Sequence, residues 1–407
     1  MNFDFPAPNP RRIALHVQAS AERHLRQGHP WLFESAITKQ SHAGQSGDLA
    51  VVYDRKNRFL ALGFYDPDSP IRVKLVQHSA PSALDEAWWR LRLSRALMRR
   101  ALLTESDTDG YRLIHGENDG FPALVLDQYA QTLVLKLYSA LWYAHLPTLL
   151  PLVRKLIPAE RCIVRLSRNM PALYGVQDGM ALWGDVPSAP LIFHENGLQF
   201  SADVVHGHKT GFFFDQRDNR ASVRELAQGR RVLDVYAYSG GFSVYAGDGG
   251  AQSVLSVDIS APALASAQAN WQLNVERPSL ARAQHQVQVG DALAVLRELR
   301  QAGRTFDLVI VDPPSFAKRA DESAQALVSY ASLARASLDV LEAGGIWVMA
   351  SCSSRVSKEQ FFEVLEQTAR KAGRRLQDID TTEHAVDHPI GFSEGAYLKC
   401  LYARLGN

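Results

Sequence analysis

The sequence predicts an α/β protein with a Rossmann-like parallel sheet in its C-terminal half, preceded by a β-rich unit and a small α+β unit. From residue 231 onward, short apolar strands alternate with helical stretches, which is the pattern of βαβ units. Before residue 80, apolar runs are instead separated by turn residues and helix signals are few. We therefore expect three domains, at residues 1–80, 81–188 and 189–407.

The elements of the first two domains follow from their apolar periodicity. In residues 1–80, strands are predicted at 47–54, 59–65 and 71–77. Residues 81–188 begin with a predicted helix at 84–103, which carries arginines at positions 90, 92, 95, 99 and 100. A solvated face is the ordinary explanation of such a helix, and contact with RNA is the functional one. Strands at 111–115, 123–128, 132–138 and 162–167 and a helix at 142–156 complete this unit.

The third domain supplies the strands of the parallel sheet. They are predicted at 232–236, 253–257, 286–289, 306–311, 345–350 and 396–401, with helical stretches between most of them. Open α/β sheets bind their ligands beyond the carboxyl ends of such strands. We therefore look for functional residues directly after each strand.

The bulk composition is that of an ordinary globular protein. The chain has 407 residues, of which 46% are hydrophobic and 21% are charged. No apolar run reaches the roughly 18 residues of a membrane helix, and the segment from Met1 to Pro6 lacks the features of a signal peptide. The three cysteines have no metal-ligand spacing and fit a reducing compartment. We expect a cytoplasmic protein without a bound metal or a membrane partner.

The charge distribution gives only weak information about partners. The net charge is +1, but residues 1–100 hold 15 Lys and Arg against 9 Asp and Glu, whereas the remainder holds 29 against 34. A basic front half can meet phosphates. From charge alone, an unevenly charged solvated surface is the better explanation.

Acidic residues accompany four successive predicted strands. The first strand leads into Asp234-Val235-Tyr236-Ala237-Tyr238-Ser239-Gly240-Gly241-Phe242, whose glycines let the backbone approach a ligand at a helix N-terminus. Asp258 follows the second strand, where a carboxylate can bind both hydroxyls of a ribose, and Asp291 follows the third, within reach of an adenine amine. Singly, a turn or a helix N-cap explains each acid at least as well. The set, completed by Asp312, is harder to dismiss.

The fourth strand ends at the motif Asp312-Pro313-Pro314-Ser315-Phe316. The prolines remove backbone donors and stiffen the loop. The remaining carbonyl groups can accept hydrogen bonds from the amino group or ring NH of a planar base. A rigid strand exit is the alternative explanation, but it would not require the preceding acid.

Cys352, in Ser351-Cys352, closes the fifth apolar run. Carbon 5 of cytosine is a poor nucleophile, and a thiolate that adds to carbon 6 makes the ring enamine-like and carbon 5 reactive. Asp312 can protonate N3 during that addition. A buried small hydrophobic residue is the alternative, but beside the Asp-Pro-Pro motif we favour the nucleophile. Cys162 and Cys400 lie inside predicted strands, and we assign both to the core.

The combined motifs resemble a known family. The order of glycine turn, ribose acid, adenine acid and Asp-Pro-Pro resembles the class I S-adenosylmethionine-dependent methyltransferases over residues 195–407. Nearly the whole chain resembles the bacterial large-subunit (23S) ribosomal RNA 5-methylcytosine methyltransferases, which carry an N-terminal PUA domain. The residues that carry this resemblance are Gly28-His29-Pro30-Trp31-Leu32-Phe33, Lys209-Thr210-Gly211-Phe212-Phe213-Phe214-Asp215-Gln216-Arg217, the Asp312 motif and Ser351-Cys352-Ser353.

The resemblance implies S-adenosylmethionine as cofactor, large-subunit ribosomal RNA as partner, an RNA-binding role for the PUA domain, and Cys352 and Asp312 as catalytic residues. Phe213 or Phe214 would pack on the adenosine, and Gln216 and Arg217 would hold the methionine portion. An aromatic hairpin packed on the catalytic sheet is the alternative for this run. The implied cofactor contacts are Phe213, Phe214, Gln216, Arg217, Asp234, Tyr236, Ser239, Gly240, Asp258, Asp291 and Asp312, and the implied substrate contacts are Pro313, Pro314, Ser315 and Phe316.

One position departs from the wider family of RNA cytosine-5 methyltransferases. Many members have a second cysteine directly after the prolines, which assists product release, whereas this chain has Ser315. Ser315, Asp312 or a water is left to complete the reaction.

Three other functions remain open from the sequence. They are methylation of a guanine nitrogen in ribosomal RNA by the same fold, a non-catalytic RNA-binding protein, and a small-molecule methyltransferase. The oligomeric state is open as well, with a homodimer as one expectation.

Overall fold

The computed structural model describes residues 3–168, 170–317 and 319–406. Met1 and Asn2, which belong to the segment assessed above for a signal peptide, lie outside the described residues. The chain forms two compact units. The first holds the residues up to Glu195 together with Ala202–Phe214 and Val386–Ser393. The second holds Asn196–Ser201, Asp215–Ala385 and the residues from Glu394 onward. The boundary expected between residues 80 and 81 lies inside the first unit, and the division into three domains stays a prediction.

The first unit begins with a six-stranded sheet. Its strands are β1 (Ile13–Val17), β2 (Trp31–Leu32), β3 (Ile37–Gln40), β4 (Leu49–Tyr53), β5 (Phe59–Tyr65) and β6 (Val73–His78). They are ordered β2-β6-β5-β4-β1-β3. The strands predicted here correspond to β4, β5 and β6. The helix α1 (Ala19–Arg26) was not predicted, because Leu25 is its one buried residue and its one large apolar side chain.

A five-stranded sheet and three helices follow in the same unit. The strands are β7 (Gly110–His115), β8 (Leu124–Tyr129), β9 (Thr132–Leu137), β10 (Arg161–Leu166) and β11 (Ala181–Trp183), in the order β11-β10-β9-β8-β7, and β12 (Leu191–Glu195) comes after them. The helices are α2 (Glu86–Met98), α3 (Ala101–Thr104) and α4 (Leu146–Leu156). Asp85 caps α2 by accepting a hydrogen bond from the backbone nitrogen of Trp88 at 2.9 Å.

Aromatic packing joins the two sheets of the first unit. Phe64 of β5 stacks on Trp89 of α2 with ring centroids 5.9 Å apart, and it meets the edge of Trp142 at 5.6 Å. Trp31, from the Gly28-to-Phe33 motif, donates from Nε1 to Glu117 at 3.0 Å. Burial of one such aromatic side chain stabilises a protein by roughly 1.5–3 kcal/mol. These contacts therefore bind the β-rich sheet to the α+β part of the chain.

The arginines near α2 serve different purposes. Arg100 is fully buried and forms two hydrogen bonds with Asp119, at 2.9 and 2.7 Å. Arg99 also contacts Asp119, at 2.9 Å, but about half of its side chain is exposed. Arg90 and Arg95 are exposed. The expectation of one basic helix face is therefore wrong for Arg100, which is held inside the unit by an ion pair.

The second unit contains the predicted parallel sheet and its helices. Its strands are β13 (Leu198–Ala202), whose last residue already belongs to the first unit, β14 (Arg231–Val235), β15 (Ser253–Asp258), β16 (Gln284–Val289), β17 (Phe306–Val311), β18 (Leu341–Ser351), β19 (Leu376–Thr382) and β20 (Lys399–Leu405). Its helices are α5 (Arg217–Leu226), α6 (Gly241–Asp248), α7 (Ala261–Gln272), α8 (Pro278–Arg282), α9 (Ala292–Gln301), α10 (Ser323–Leu338) and α11 (Lys358–Lys371).

Seven of these strands form one sheet in the order β16-β15-β14-β17-β18-β20-β19. The five strands from β16 to β18 pair in parallel, as predicted. The chain reverses its direction of winding between β14 and β17, and that reversal opens a crevice beyond their carboxyl ends. No helix among the described residues is both long and apolar enough to cross a membrane.

The sheet differs from the prediction at one edge. β20 pairs antiparallel with both β18 and β19, and it begins at Lys399 rather than at residue 396. β19 was not predicted at all, because this edge strand is largely exposed and lacks an apolar run. Antiparallel insertion places the start of β20 beside the end of β18.

Candidate active site

Asp312 and Cys352 follow the carboxyl ends of two neighbouring parallel strands. Val311, the last residue of β17, pairs with Met349 near the end of β18. The Cys352 thiol contacts the main-chain oxygen of Pro313, with Sγ and O 3.7 Å apart. Cys352 is half-buried, whereas Cys162 and Cys400 are fully buried. The structure therefore brings Cys352 to the Asp-Pro-Pro motif and confirms that the other two cysteines belong to the core.

Hydrogen bonds fix the two loops that carry this pair. Ser353 and Ser315 both donate from Oγ to the main-chain oxygen of Ala317, each at 3.1 Å. Ser351 shares a buried hydrogen bond with the Tyr330 hydroxyl at 2.8 Å. Ser315, at the position where many RNA cytosine-5 methyltransferases have a second cysteine, thus contacts its own loop. Both loops are therefore held by hydrogen bonds within the protein.

The residues predicted to contact substrate differ in exposure. Pro313 is buried, Pro314 is exposed, and Phe316 is partly exposed with its ring edge-on to Tyr330 at 5.0 Å. The proline loop therefore presents Pro314 to solvent and uses Phe316 to pack against α10.

Asp312 has an unusual electrostatic environment. Loss of water around the carboxyl group, together with the negative charges of Asp215 and Asp234, raises the pKa of Asp312 to about 7. A hydrogen bond with Gln216 and the positive charge of Arg220 act in the opposite direction but do not outweigh these effects. A carboxyl group with a pKa near 7 can donate or accept a proton at neutral pH.

The loop between β14 and α6 takes the conformation that its glycines permit. Gly240 has φ +74°, and a Cβ atom there would lie 2.8 Å from the Cβ of Ala267. Tyr236 and Tyr238 also have positive φ, at 65° and 48°. Such angles are uncommon for non-glycine residues and cluster at functional loops. The backbone therefore passes close to α7 and turns sharply into α6.

Asp258 stabilises that loop from the neighbouring strand. Its two carboxylate oxygens accept hydrogen bonds from the backbone nitrogens of Tyr238 and Ser260, both at 2.9 Å. Asn270 donates to the main-chain oxygen of Ser239, also at 2.9 Å. Asp258 remains partly exposed, so it both shapes the loop and offers a carboxylate at its surface.

Asp234 lies inside the sheet rather than beyond its end. It is 1% exposed, and Oδ2 accepts a hydrogen bond from Ser243 at 2.6 Å. Its Oδ1 atom has no hydrogen-bond partner among the described residues. Burial raises the pKa of Asp234 to about 7. An unpartnered buried acceptor can accept a hydrogen bond from the ammonium group of a ligand.

A buried chain of hydrogen bonds continues from Asp234 across two neighbouring strands. Ser243 contacts Ser256 of β15 at 2.6 Å, and Ser256 contacts Nε2 of His285 on β16 at 2.8 Å. The ring of His285 stacks on Trp271 with centroids 4.4 Å apart, and burial lowers the pKa of His285 to about 4. This chain holds the Asp234 side chain in one orientation.

Asp291 is the exposed N-cap of α9. Its side chain accepts a hydrogen bond from the backbone nitrogen of Ala294 at 3.1 Å. Capping, one of the two explanations considered from the sequence, is therefore part of its role. Burial and the negative charges of Asp291 and Asp258 raise the pKa of Tyr236 to about 12. Asp291 and Asp258 are thus both close enough to Tyr236 to act on its hydroxyl.

The two phenylalanines predicted to contact adenosine lie in the first unit. Phe214 is 1% exposed and packs against Tyr129, Phe193 and Phe212, with ring centroids 5.0–5.7 Å apart. The Phe214 ring is therefore packed inside the first unit, and its contact with adenosine stays a prediction. Phe213 is partly exposed, with Nζ of Lys209 4.4 Å from its ring centroid, and its contact with adenosine stays a prediction.

Gln216 and Arg217 lie in the second unit at the start of α5. Both are buried, at 4% and 1% exposure. Oε1 of Gln216 accepts a hydrogen bond from Asn219 at 2.5 Å, and Gln216 also bonds to Asp312. The structure therefore brings Gln216 to the candidate catalytic acid.

Tyr397 and Lys399 were not identified from the sequence, and Asp215 was noted only as part of the run that carries the resemblance. Tyr397 donates from its hydroxyl to Asp215 at 2.8 Å, and Asp215 acts on Asp312. Lys399, the first residue of β20, is 3% exposed. The available signal was a lysine inside the apolar run 398–403, where a buried charge calls for an explanation.

Comparison with known proteins agrees with this fold. Residues 180–404 match the model of a family described as S-adenosylmethionine-dependent methyltransferase, and residues 15–78 match a PUA-like domain. A protein from Deinococcus radiodurans named ribosomal RNA large subunit methyltransferase is 46% identical over 98% of this chain and 99% of its own length. A ribosomal RNA large subunit methyltransferase I from Shewanella denitrificans is 35% identical over 97% of this chain and 99% of its own length.

Solved structures share the fold. A Streptococcus mutans protein, provisionally described as a SAM-dependent methyltransferase, superposes with a TM-score of 0.81 at 22% identity, over 96% of this chain and 99% of that one. A provisionally described methyltransferase solved with SAH gives a TM-score of 0.79 at 22% identity, over 97% of this chain and 99% of its own. The chain belongs to the S-adenosylmethionine-dependent methyltransferase family, with a PUA-like domain near its N-terminus. Its cofactor is S-adenosylmethionine.

Proposed function

We propose that this protein methylates carbon 5 of a cytosine in large-subunit ribosomal RNA through a covalent adduct with Cys352. The observation that carries the proposal is the contact between the Cys352 thiol and Pro313, directly after Asp312. Methylation of a nitrogen needs no thiol at this position, whereas carbon 5 must first be activated. The names of the curated relatives support ribosomal RNA of the large subunit as the substrate.

The residues present fit S-adenosylmethionine. The unpartnered Oδ1 of Asp234 suits the cofactor ammonium group, and the partly exposed carboxylate of Asp258 suits its ribose hydroxyls. The positive φ of Gly240 lets the chain turn sharply into α6, where the backbone can approach the ligand. Bound S-adenosylmethionine supplies an electrophilic methyl group. The remaining chemistry is the work of the protein side chains.

In the proposed mechanism, the Cys352 thiolate forms a bond to carbon 6 of the cytosine. The electron pair of the ring moves toward N3, where protonated Asp312 delivers its proton, and carbon 5 becomes nucleophilic. After methyl transfer, removal of the proton on carbon 5 restores the ring double bond and releases Cys352 as thiolate. Asp312, by then a carboxylate, is the candidate acceptor of that proton, and the N3 proton passes to water. A pKa of about 7 for Asp312 fits both roles.

The test uses labelled S-adenosylmethionine and unmodified large-subunit ribosomal RNA, with the modified nucleoside identified by mass. We expect 5-methylcytidine from the wild-type protein and none from Cys352→Ala, with cofactor affinity unchanged. Ser354→Ala, at an exposed position of the same loop, is the matched control and should keep full activity. Full activity of Cys352→Ala, or a methylated guanosine as the product, would overturn the proposal.

A further inference from the structure

Lys399 is tied to the loop that carries Cys352. It starts β20 directly opposite Ser351 of β18 in the antiparallel pair. Its Nζ atom donates to the main-chain oxygens of Ser353 and Val356 at 2.5 and 2.6 Å, and to that of Tyr397 at 3.3 Å. The first two oxygens flank the turn that follows Cys352. One ammonium group therefore holds both ends of this turn.

Among the described residues, the groups that bind the buried ammonium of Lys399 are neutral. The side chain is 3% exposed, and no hydrogen bond or ion pair joins it to a described carboxylate. Its three hydrogen bonds all go to neutral carbonyl groups. A buried ammonium in this state is stabilised by any nearby group that can become an anion.

The groups that act on Lys399 identify that anion. Burial lowers the pKa of Lys399 to about 8, while the charge of Cys352, followed by that of Glu359, acts to raise it. Glu359 is exposed at the start of α11, where water weakens its effect. Of these two groups, Cys352 therefore has the larger effect on Lys399.

We propose that Lys399 is a positioning residue that fixes the Cys352 loop and supplies the positive charge that favours the Cys352 thiolate. The proposal rests on the assignment of Cys352 as the nucleophile. The thiolate is the reactive form of cysteine, and a neighbouring cation increases its population.

Other titratable groups face the same region. Asp312 and Cys352 both act on Tyr330, whose pKa is raised chiefly by burial. An ionised Asp312 would disfavour a thiolate, whereas the protonated form would not. Because Asp312 titrates near neutral pH, the thiolate is favoured where Asp312 is still protonated and Lys399 is charged. Both conditions hold from mildly acidic to neutral pH, and Lys399 loses its charge above about pH 8.

The test measures alkylation of Cys352 by iodoacetamide as a function of pH in the full-length protein, followed peptide by peptide with mass spectrometry. The reaction forms an S–C bond and releases iodide, and it reports the thiolate population. We expect a midpoint for the wild-type protein well below the ordinary thiol value of about 8.5. Lys399→Met should raise the midpoint by at least about one pKa unit, a tenfold loss of thiolate. Lys399→Arg, which keeps the charge, should restore most of the shift.

Controls separate the charge effect from unfolding. S-adenosylmethionine affinity and thermal unfolding of Lys399→Met establish that the variant is folded. If it is not, the profiles of the wild-type protein and of Lys399→Arg decide, and both midpoints should lie well below about 8.5. A wild-type midpoint at or above about 8.5 overturns it in any case.

The same measurements distinguish this inference from the proposed function. A midpoint that depends on Lys399, combined with full methylation by Cys352→Ala, would reject the nucleophile while leaving the charge effect in place. Loss of methylation in Cys352→Ala without any shift in Lys399→Met would reject only the role of Lys399.

Discussion

The Cys352 sulfur lies 3.7 Å from the main-chain oxygen of Pro313. This contact joins two loops that leave different strands, and Ser353 reinforces it through Ala317. A thiol and a carboxylic acid are thereby held at neighbouring strand ends by contacts within the protein. Most of the order that a reaction at this site requires is therefore built into the folded chain.

Replacement of Asp312 by asparagine should abolish methylation and stabilise the protein at alkaline pH. The folded state binds the Asp312 proton more tightly than the unfolded chain does, because the pKa rises from about 3.9 to about 7 on folding. Wild-type stability therefore falls as pH rises from about 4 to about 7, and the loss is complete above that range. The uncharged amide of the variant would carry no such penalty.

Urea unfolding at pH values of about 4.5 and about 8 measures this effect. We expect little difference between the variant and the wild-type protein at the lower pH, and a gain on the order of 1 kcal/mol for the variant at the higher pH, reduced by partial solvent exposure. Asp307→Asn is a suitable contrast, since Arg231 lowers the pKa of Asp307 and its removal should destabilise at the higher pH. An equal gain from Asp312→Asn at both pH values would contradict the assignment.

Substitutions at Asp291 separate its role as a helix cap from its expected role in cofactor binding. Serine is as good an N-cap as aspartate, but it is shorter and uncharged. Asp291→Ser should therefore keep thermal stability while weakening S-adenosylmethionine binding several-fold, as measured by calorimetry. Asp291→Ala should lose about 1 kcal/mol in addition. Unchanged cofactor affinity in both variants would show that Asp291 caps α9 and does not bind the cofactor.

Gly240→Ala should destabilise the second unit and weaken cofactor binding. Positive φ alone costs about 1–2 kcal/mol for a non-glycine residue, and the contact with Ala267 at 2.8 Å adds about 1–3 kcal/mol of overpacking. Gly303→Ala is the matched control, because Gly303 has φ +65° with no atom within 4 Å of an added Cβ. Thermal unfolding should show the larger loss at position 240, and similar losses would exclude a role for the close approach.

Arg100→Ala should destabilise the first unit by about 3–5 kcal/mol, since it leaves Asp119 buried without its main partner. Arg99→Ala removes a half-exposed contact to the same carboxylate and should cost less than about 1 kcal/mol. Denaturant unfolding of both variants checks this difference. Comparable losses would show that Asp119 depends equally on both arginines.

The sequence predicted those parts of the molecule that have a strong local signal. The parallel strands are short apolar runs, and strand 306–311 was predicted with its observed bounds. The prediction failed for β19, which is exposed, and for the antiparallel direction of β20, which depends on distant pairing. Direction cannot be read from the apolar pattern of a strand alone.

In the candidate site, too, the residues with a strong local signal were predicted and the others were not. Cys352 and the Asp312 motif were found because unusual residues follow apolar runs. The burial of Phe214 could not be inferred from the sequence. An aromatic residue gives the same sequence pattern whether it packs in a core or against a ligand. The role of Lys399 depends on the carbonyl groups of another loop, which tertiary structure alone brings together.

The position of β20 also constrains the order in which the protein can fold during synthesis. β20 lies between β18 and β19 in the sheet but is synthesised after both of them. Until β20 emerges from the ribosome, β19 lacks its observed sheet neighbour and the edge of β18 is open, a state that favours pairing with other chains. Until Lys399 is synthesised and exposed, the turn after Cys352 also lacks the hydrogen bonds that Nζ donates to Ser353 and Val356.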